Sequence, residues 1–314
     1  MQLRTVLACL MAARALAAPS LACAATGVNV VKDGGFQDRT LSAWGNISSD
    51  FIRKPGYKST QAFGQTATLN KTSNPRLDFP AAQQNVTICT NQYYKLSFDY
   101  FNNRSAADVD GAITYFFAGL NDNSFKLYLP NYQPTWKSFT SYMVPGLLPA
   151  NSALSLFNNY GSDSLLYPPK NVSVGYDNVV LQSVPTPKVN ASSPEYLLPP
   201  LATDPPSGPT SYRGKGFTKP GKLYILTFSY KVSAAAGSRA SLSVGISGTR
   251  DYKIEFPGPV SKSATVQIPF VADSKNLVVG YSGGVLCRSA IPTIPCTPRG
   301  SVSAEGFSVR EAIV

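Results

Sequence analysis

The segment Tyr94-Lys95-Leu96-Ser97-Phe98-Asp99-Tyr100 sets large apolar side chains at every second position, with Lys, Ser and Asp between them. Successive side chains of an extended chain point to opposite faces, so this pattern buries one face only as a β-strand. A near copy, Tyr224-Ile225-Leu226-Thr227-Phe228-Ser229-Tyr230, lies in the second half. Elsewhere, short runs of Tyr, Phe, Val, Ile and Thr are separated by Gly, Pro, Asn and Ser. Helical periodicity is nearly absent, and only 14% of residues are charged, which suits strands better than surface helices. The expected fold class is all-β, built as β-sandwiches.

A chain of 314 residues is long enough for two domains. Two more segments recur in the same order and at nearly constant spacing. Lys126-Leu127-Tyr128-Leu129-Pro130 matches Lys253-Ile254-Glu255-Phe256-Pro257, and Ser173-Val174-Gly175-Tyr176-Asp177 matches Ser301-Val302-Ser303-Ala304-Glu305. Ordered matches point to an internal duplication. Between the copies, the stretch from Val184 to Ser211 holds Pro185, Pro187, Pro194, Pro199, Pro200, Pro205, Pro206 and Pro209. Such a segment is extended and semi-rigid and reads as a linker. Within it, Tyr196-Leu197-Leu198 reads alternatively as an edge strand. The expected layout is a signal peptide over 1–24, a sandwich over 26–184, a linker over 185–211 and a second sandwich over 212–314.

The N-terminus reads as an export signal: Arg4, then apolar residues from Thr5 to Ala13, Arg14, and small-residue cleavage sites after Ala17 or after Ala24. Six Asn-x-Ser/Thr sequons, at Asn46, Asn70, Asn85, Asn103, Asn171 and Asn190, fit a secreted glycoprotein. Cys287 and Cys296 flank a short Pro-containing loop and are expected to pair in an oxidising compartment. Cys89 is expected to pair with Cys23 if cleavage follows Ala17, and loses that partner if cleavage follows Ala24. No stretch after the signal is long and apolar enough for a membrane span.

The residues present limit the chemistry. The chain has no His, which removes the usual general base, the Ser-His-Asp arrangement and imidazole metal ligands. Residues 26–185 contain no Glu, while glycoside hydrolysis needs paired carboxylates. Asp108 and Asp110 are close in sequence but sit beside Gly111, as a solvated turn does. No enzymatic activity is expected. Residues 26–185 carry 12 basic and 10 acidic side chains, and residues 186–314 carry 14 and 7. The second half suits an acidic surface, although its Lys and Arg are scattered along the sequence; no nucleic-acid partner is expected.

Val31-Lys32-Asp33-Gly34-Gly35-Phe36-Gln37, followed by Leu41-Ser42-Ala43-Trp44, resembles the opening of carbohydrate-binding modules of families 4 and 9. Gln84-Asn85-Val86, the strand Tyr94–Tyr100, Thr135-Trp136-Lys137-Ser138-Phe139-Thr140 and Tyr176-Asp177-Asn178-Val179 resemble further landmarks of those families, in order. The likeness covers about residues 28–184, and the early Ala-Leu-Ala-Ala-Pro is in the style of fungal secreted proteins. It implies galactose-binding-like jelly-roll sandwiches with sugar held on a concave sheet or at loop tips. It also implies a structural Ca²⁺ near Asp177, with Asp38 beside the Gln37 that replaces the family's Glu. No other cofactor is expected.

Sugar rings lie against aromatic rings, and their hydroxyls need amides and carboxylates. Strand alternation turns Leu96, Phe98 and Tyr100 inward and Asp99 outward. Asp99, Tyr115, Tyr128 and Trp136 are therefore the candidate ligand-binding residues, and Trp44 is read as structural. For any one aromatic, core packing is the commoner role. The expected function is non-catalytic, extracellular binding of a cell-wall polysaccharide. The alternative is an adhesion or coat protein that binds no sugar.

Overall fold

The computed structural model describes residues 26–45, 51–54, 62–68, 82–102, 115–120, 125–128, 133–145, 150–159, 171–198, 210–214, 217–247, 250–287 and 299–314. The fold is all-β, with no helix among the described residues. In chain order the strands are β1 (Phe51–Lys54), β2 (Ala62–Thr68), β3 (Ala82–Thr87), β4 (Tyr93–Asn102), β5 (Tyr115–Leu120) and β6 (Phe125–Tyr128). Next come β7 (Gln133–Met143), β8 (Asn151–Asn159), β9 (Asn171–Val184), β10 (Lys188–Val189), β11 (Tyr196–Leu197) and β12 (Thr210–Gly214). The last are β13 (Leu223–Ala234), β14 (Ser238–Ile246), β15 (Arg250–Pro257), β16 (Val260–Val271), β17 (Leu277–Cys287) and β18 (Gly300–Ile313).

One sheet runs β1-β2-β9-β4-β7 and another β10-β18-β13-β16, with β11 also on β18. A third, of eight strands, runs β12-β17-β14-β15-β6-β5-β8-β3. The pairings are antiparallel. The alternation in the repeated heptapeptide sets the core: Tyr94, Leu96, Phe98 and Tyr100 on β4, and Tyr224, Leu226, Phe228 and Tyr230 on β13, are all buried. They belong to one apolar cluster that extends through both halves of the chain.

The halves repeat one strand plan. Asp99 on β4 lies between Ser138 on β7 and Asp177 on β9, and Ser229 on β13 lies between Thr265 on β16 and Glu305 on β18. The pairing with the last strand slips at the same place in each, between Ser97 and Asp99 and between Thr227 and Ser229. The Tyr94 hydroxyl accepts the Cys89 N–H at 2.9 Å, and the Tyr224 hydroxyl accepts the Lys219 N–H at 3.0 Å. The eight-strand sheet reads β3-β8-β5-β6 from one end and β12-β17-β14-β15 from the other. Its centre is the β6–β15 pair, where Phe125 and Tyr252 are Cα partners. These two residues immediately precede the repeated segments at equivalent places, so a local two-fold axis passes between them, as at an isologous dimer contact.

Side chains fasten this junction. Tyr252 is buried; its hydroxyl donates to the Tyr142 carbonyl at 3.1 Å and lies 3.5 Å from Ser141 Oγ. Arg250, also buried, pairs with Asp273 at 2.7 Å, reaches the Thr140 carbonyl at 3.5 Å and lies 5.0 Å above the Phe139 ring. A guanidinium suits such a place because its planar fork pairs and stacks at once.

The Pro-rich stretch differs from a free tether. β10 pairs Lys188 with Ile313, β11 pairs Tyr196 with Val309, and Asn190 N–H donates to the Glu311 carbonyl at 2.8 Å. Tyr196 stacks on Phe217 at 4.5 Å. Proline lacks an N–H and is tolerated on an edge strand, so the composition that suits a linker suits an edge equally. Residues 199–209 lie outside the described residues, as do the candidate signal and Cys23.

Candidate functional site

The Gly-Gly-Phe opening is a packed turn. Gly34 donates no side chain because a Cβ there would collide with the Val179 carbonyl oxygen, while Val179 N–H donates to the Gly34 carbonyl at 2.9 Å. Phe36 and Trp44 are buried with ring centroids 5.2 Å apart, and Trp44 Nε1 donates to the Asp33 carbonyl at 3.1 Å. The Gln84 amide clamps the same turn, accepting Lys32 N–H at 2.7 Å and donating to the Lys32 carbonyl at 2.9 Å.

Because Leu96, Phe98 and Tyr100 face the core, Asp99 and Phe101 belong to the opposite face of β4. There Phe101 lies over Gly175 of β9, where any Cβ would strike its ring. Trp136 of β7 meets Phe101 edge to face, with centroids 4.7 Å apart and planes at 67°. Both rings are half-buried. Beside them, the Ser138 hydroxyl donates to Asp99 Oδ1 and Asn178 Nδ2 donates to Asp99 Oδ2 at 2.9 Å. Two rings and a fixed polar group thus share one face of one sheet.

Asp99 departs from the outward, accessible position expected of it: it is only 3% exposed. Both its oxygens are engaged, so it orients Ser138 and Asn178 and is not itself a free acceptor. Tyr115 and Tyr128 are on β5 and β6, in the eight-strand sheet, whereas Asp99 and Trp136 are on β4 and β7. The four candidates therefore divide between two sheets. The side chains of Tyr115 and Tyr128 lie outside the described residues. Phe101 was missed; continuing the alternation one residue pair past Asp99 places it, and Gly175 is the signal that a ring crosses the neighbouring strand.

The second half lacks this pair. At the places of Phe101, Trp136 and Gly175 it has Lys231, Ser263 and Ser303, with Lys231 and Glu305 3.4 Å apart in an exposed ion pair.

The two carboxylates expected at a calcium site are both engaged by neighbouring groups. Asp38 accepts from Ser42 Oγ at 2.6 Å, Thr40 N–H at 3.0 Å, Thr40 Oγ1 at 2.9 Å and Ser42 N–H at 3.1 Å. These bonds, that of the Ser42 hydroxyl foremost, hold its carboxyl well below the usual carboxylate range. Asp177 is fully buried and accepts the Asn178 N–H at 2.7 Å. Among the described residues no three Asp, Glu, Cys or His side chains gather as a metal site, while Ca²⁺ takes six to eight oxygens.

Cys89 is disulfide-bonded. Cys296 lies outside the described residues, and of Cys287 only the backbone, opposite Ser238, is described. Of the sequons, Asn85 is exposed on β3, and the Asn190 side-chain oxygen accepts from Ser192 N–H and Oγ. Asn171 opens β9, its side chain outside the described residues, and Asn46, Asn70 and Asn103 lie wholly outside them. No helix among the described residues is long and apolar enough to cross a membrane.

No family model matches the chain, and no curated protein matches it. Among solved structures it is similar to the N-terminal CBM22-1–CBM22-2 tandem domain of Xyn10C from Paenibacillus barcinonensis, at 10% identity and a TM-score of 0.31, covering 92% of this chain and 98% of that one. It is similar to the ANXUR1 extracellular domain from Arabidopsis thaliana at 9% identity and a TM-score of 0.27, covering 85% and 90%. A Paenibacillus xanthan lyase aligns at 12% identity and a TM-score of 0.28, over 86% of this chain and 26% of that one. Values this low say nothing of what the chain binds.

Proposed function

We propose that the protein is a secreted, non-catalytic carbohydrate-binding protein that holds a neutral cell-wall polysaccharide against the outer face of β4, β7 and β9. The observation that carries this reading is the Phe101–Trp136 pair beside Ser138 and Asn178. Rings of this kind receive the C–H faces of a sugar, and the hydroxyl and amide are at hand for its oxygens. The motif likeness to carbohydrate-binding modules of families 4 and 9 supports the same reading. So does the chain's lack of His and, over residues 26–185, of Glu.

Binding is expected to be weak, because displaced water offsets much of the gain from each ring. It persists at high salt, since an uncharged ligand leaves little for ions to screen. Co-sedimentation of the full chain with insoluble glucan, cellulose and chitin, at low and high salt, tests this. Retention on one polymer at both salts is the expected result. Failure to bind any member of a broad neutral panel refutes it and favours the adhesion or coat reading.

A further inference from the structure

The junction of the halves encloses a cleft of about 360 Å³, at the small end of the roughly 300–1,000 Å³ of ligand pockets. Tyr100, Lys137 and Phe139 line it from the first half, and Pro220, Val271 and Asp273 from the second. Its walls thus combine a phenyl ring, a valine and a proline with a phenol, an ammonium and a carboxylate.

The charges are unbalanced. Asp273 is engaged by Arg250 at both oxygens, at 2.7 and 3.3 Å, so its charge is met locally. Lys137 is in the wall itself. Lys219 and Lys222 flank the lining residues Pro220 and Gly221, and Lys275 follows two residues after Asp273. All four lysines are exposed, and none forms an ion pair among the described residues. Sequence alone shows these lysines as scattered, and the fold brings the residues beside them to one cleft. Burial, and then the Asp273 charge, push the Tyr100 hydroxyl up to about 12, so it stays a protonated donor.

We propose that this cleft binds a uronic acid residue of an acidic polysaccharide, its ring against Pro220 and Val271 and its carboxylate paired with Lys137 and the lysines that flank the lining residues. The cleft shares Ser138 with the neutral-sugar face, but the two sites are separable at Trp136 and Lys137, neighbours in sequence that point to opposite faces of β7. Each can therefore be removed without the other.

The test is calorimetric titration of the full chain with an oligogalacturonate, at about 50 mM and about 300 mM salt, across which exposed charges become strongly screened. Binding is expected at low salt and weaker at high salt. Lys137→Gln should weaken it about fivefold, as loss of an exposed ion pair does, with an unchanged melting temperature. Lys219→Gln with Lys222→Gln should weaken it further, and Trp136→Ala should leave it unchanged. No binding at low salt, or full affinity in Lys137→Gln, overturns the proposal. Equal binding of phosphatidylserine vesicles and oligogalacturonate, insensitive to Lys137→Gln, also overturns it and leaves a general basic surface. Failure of the neutral-glycan reading is a separate result, seen on neutral polymers and with Trp136→Ala.

Discussion

Two tryptophans separate structure from binding. Trp44 is buried against Phe36, so Trp44→Ala should cost roughly 3–5 kcal/mol of stability in chemical denaturation. Trp136 is only half-buried, so its loss should cost less, about 1–2 kcal/mol. Gly175→Ala should tilt Phe101 by pushing a Cβ into its ring, and so weaken glycan binding by roughly 1 kcal/mol, read by affinity electrophoresis. Tyr100 gives a pH test. Its folded value is raised from 10.0 to about 12, so the neutral phenol is favoured in the folded state. That contribution is complete below pH 10 and is lost as pH rises through about 12. Tyr100→Phe should flatten this part of the alkaline decline in melting temperature; an identical decline in the variant would contradict it. Alternation told which face Asp99 occupies, but not that neighbouring groups would bury it. Accessibility depends on residues distant in sequence.

Among the elements, β4 was legible almost completely because its alternation is local. The match of Lys126–Pro130 with Lys253–Pro257 has a physical counterpart: Lys126–Tyr128 falls in β6 and Lys253–Pro257 in β15, and these two strands meet edge to edge. That two copies of a segment join there is a long-range pairing with no local signal. The same holds for Tyr115 and Tyr128, whose strands belong to a different sheet from β4. Repeated elements give a paired prediction. Tyr94→Phe and Tyr224→Phe each remove an acceptor for a backbone N–H five residues earlier. Each should lose about 1 kcal/mol in denaturant titration, and to a similar extent.

On the scale of the whole molecule, one sheet and one apolar cluster cross the junction. The chain should therefore melt in a single transition by calorimetry. Asp273→Asn, which takes a partly exposed carboxylate from a buried guanidinium, should lower the melting temperature through a loss of about 1–2 kcal/mol. Two well-separated transitions in the unaltered chain would contradict a fused junction. Composition could not reveal the fusion, since Pro-rich sequence is shared by tethers and edges. The neutral-sugar face is confined to the first half, where both tryptophans lie, and Lys231 and Ser263 stand at its place in the second. The most direct measurement is titration of full-length wild type and Trp136→Ala with soluble neutral oligosaccharides, paired with their melting curves. Salt-resistant binding by wild type, lost in a variant that melts almost unchanged, is the predicted result. Binding of equal strength in Trp136→Ala, or binding that disappears with salt, would contradict it.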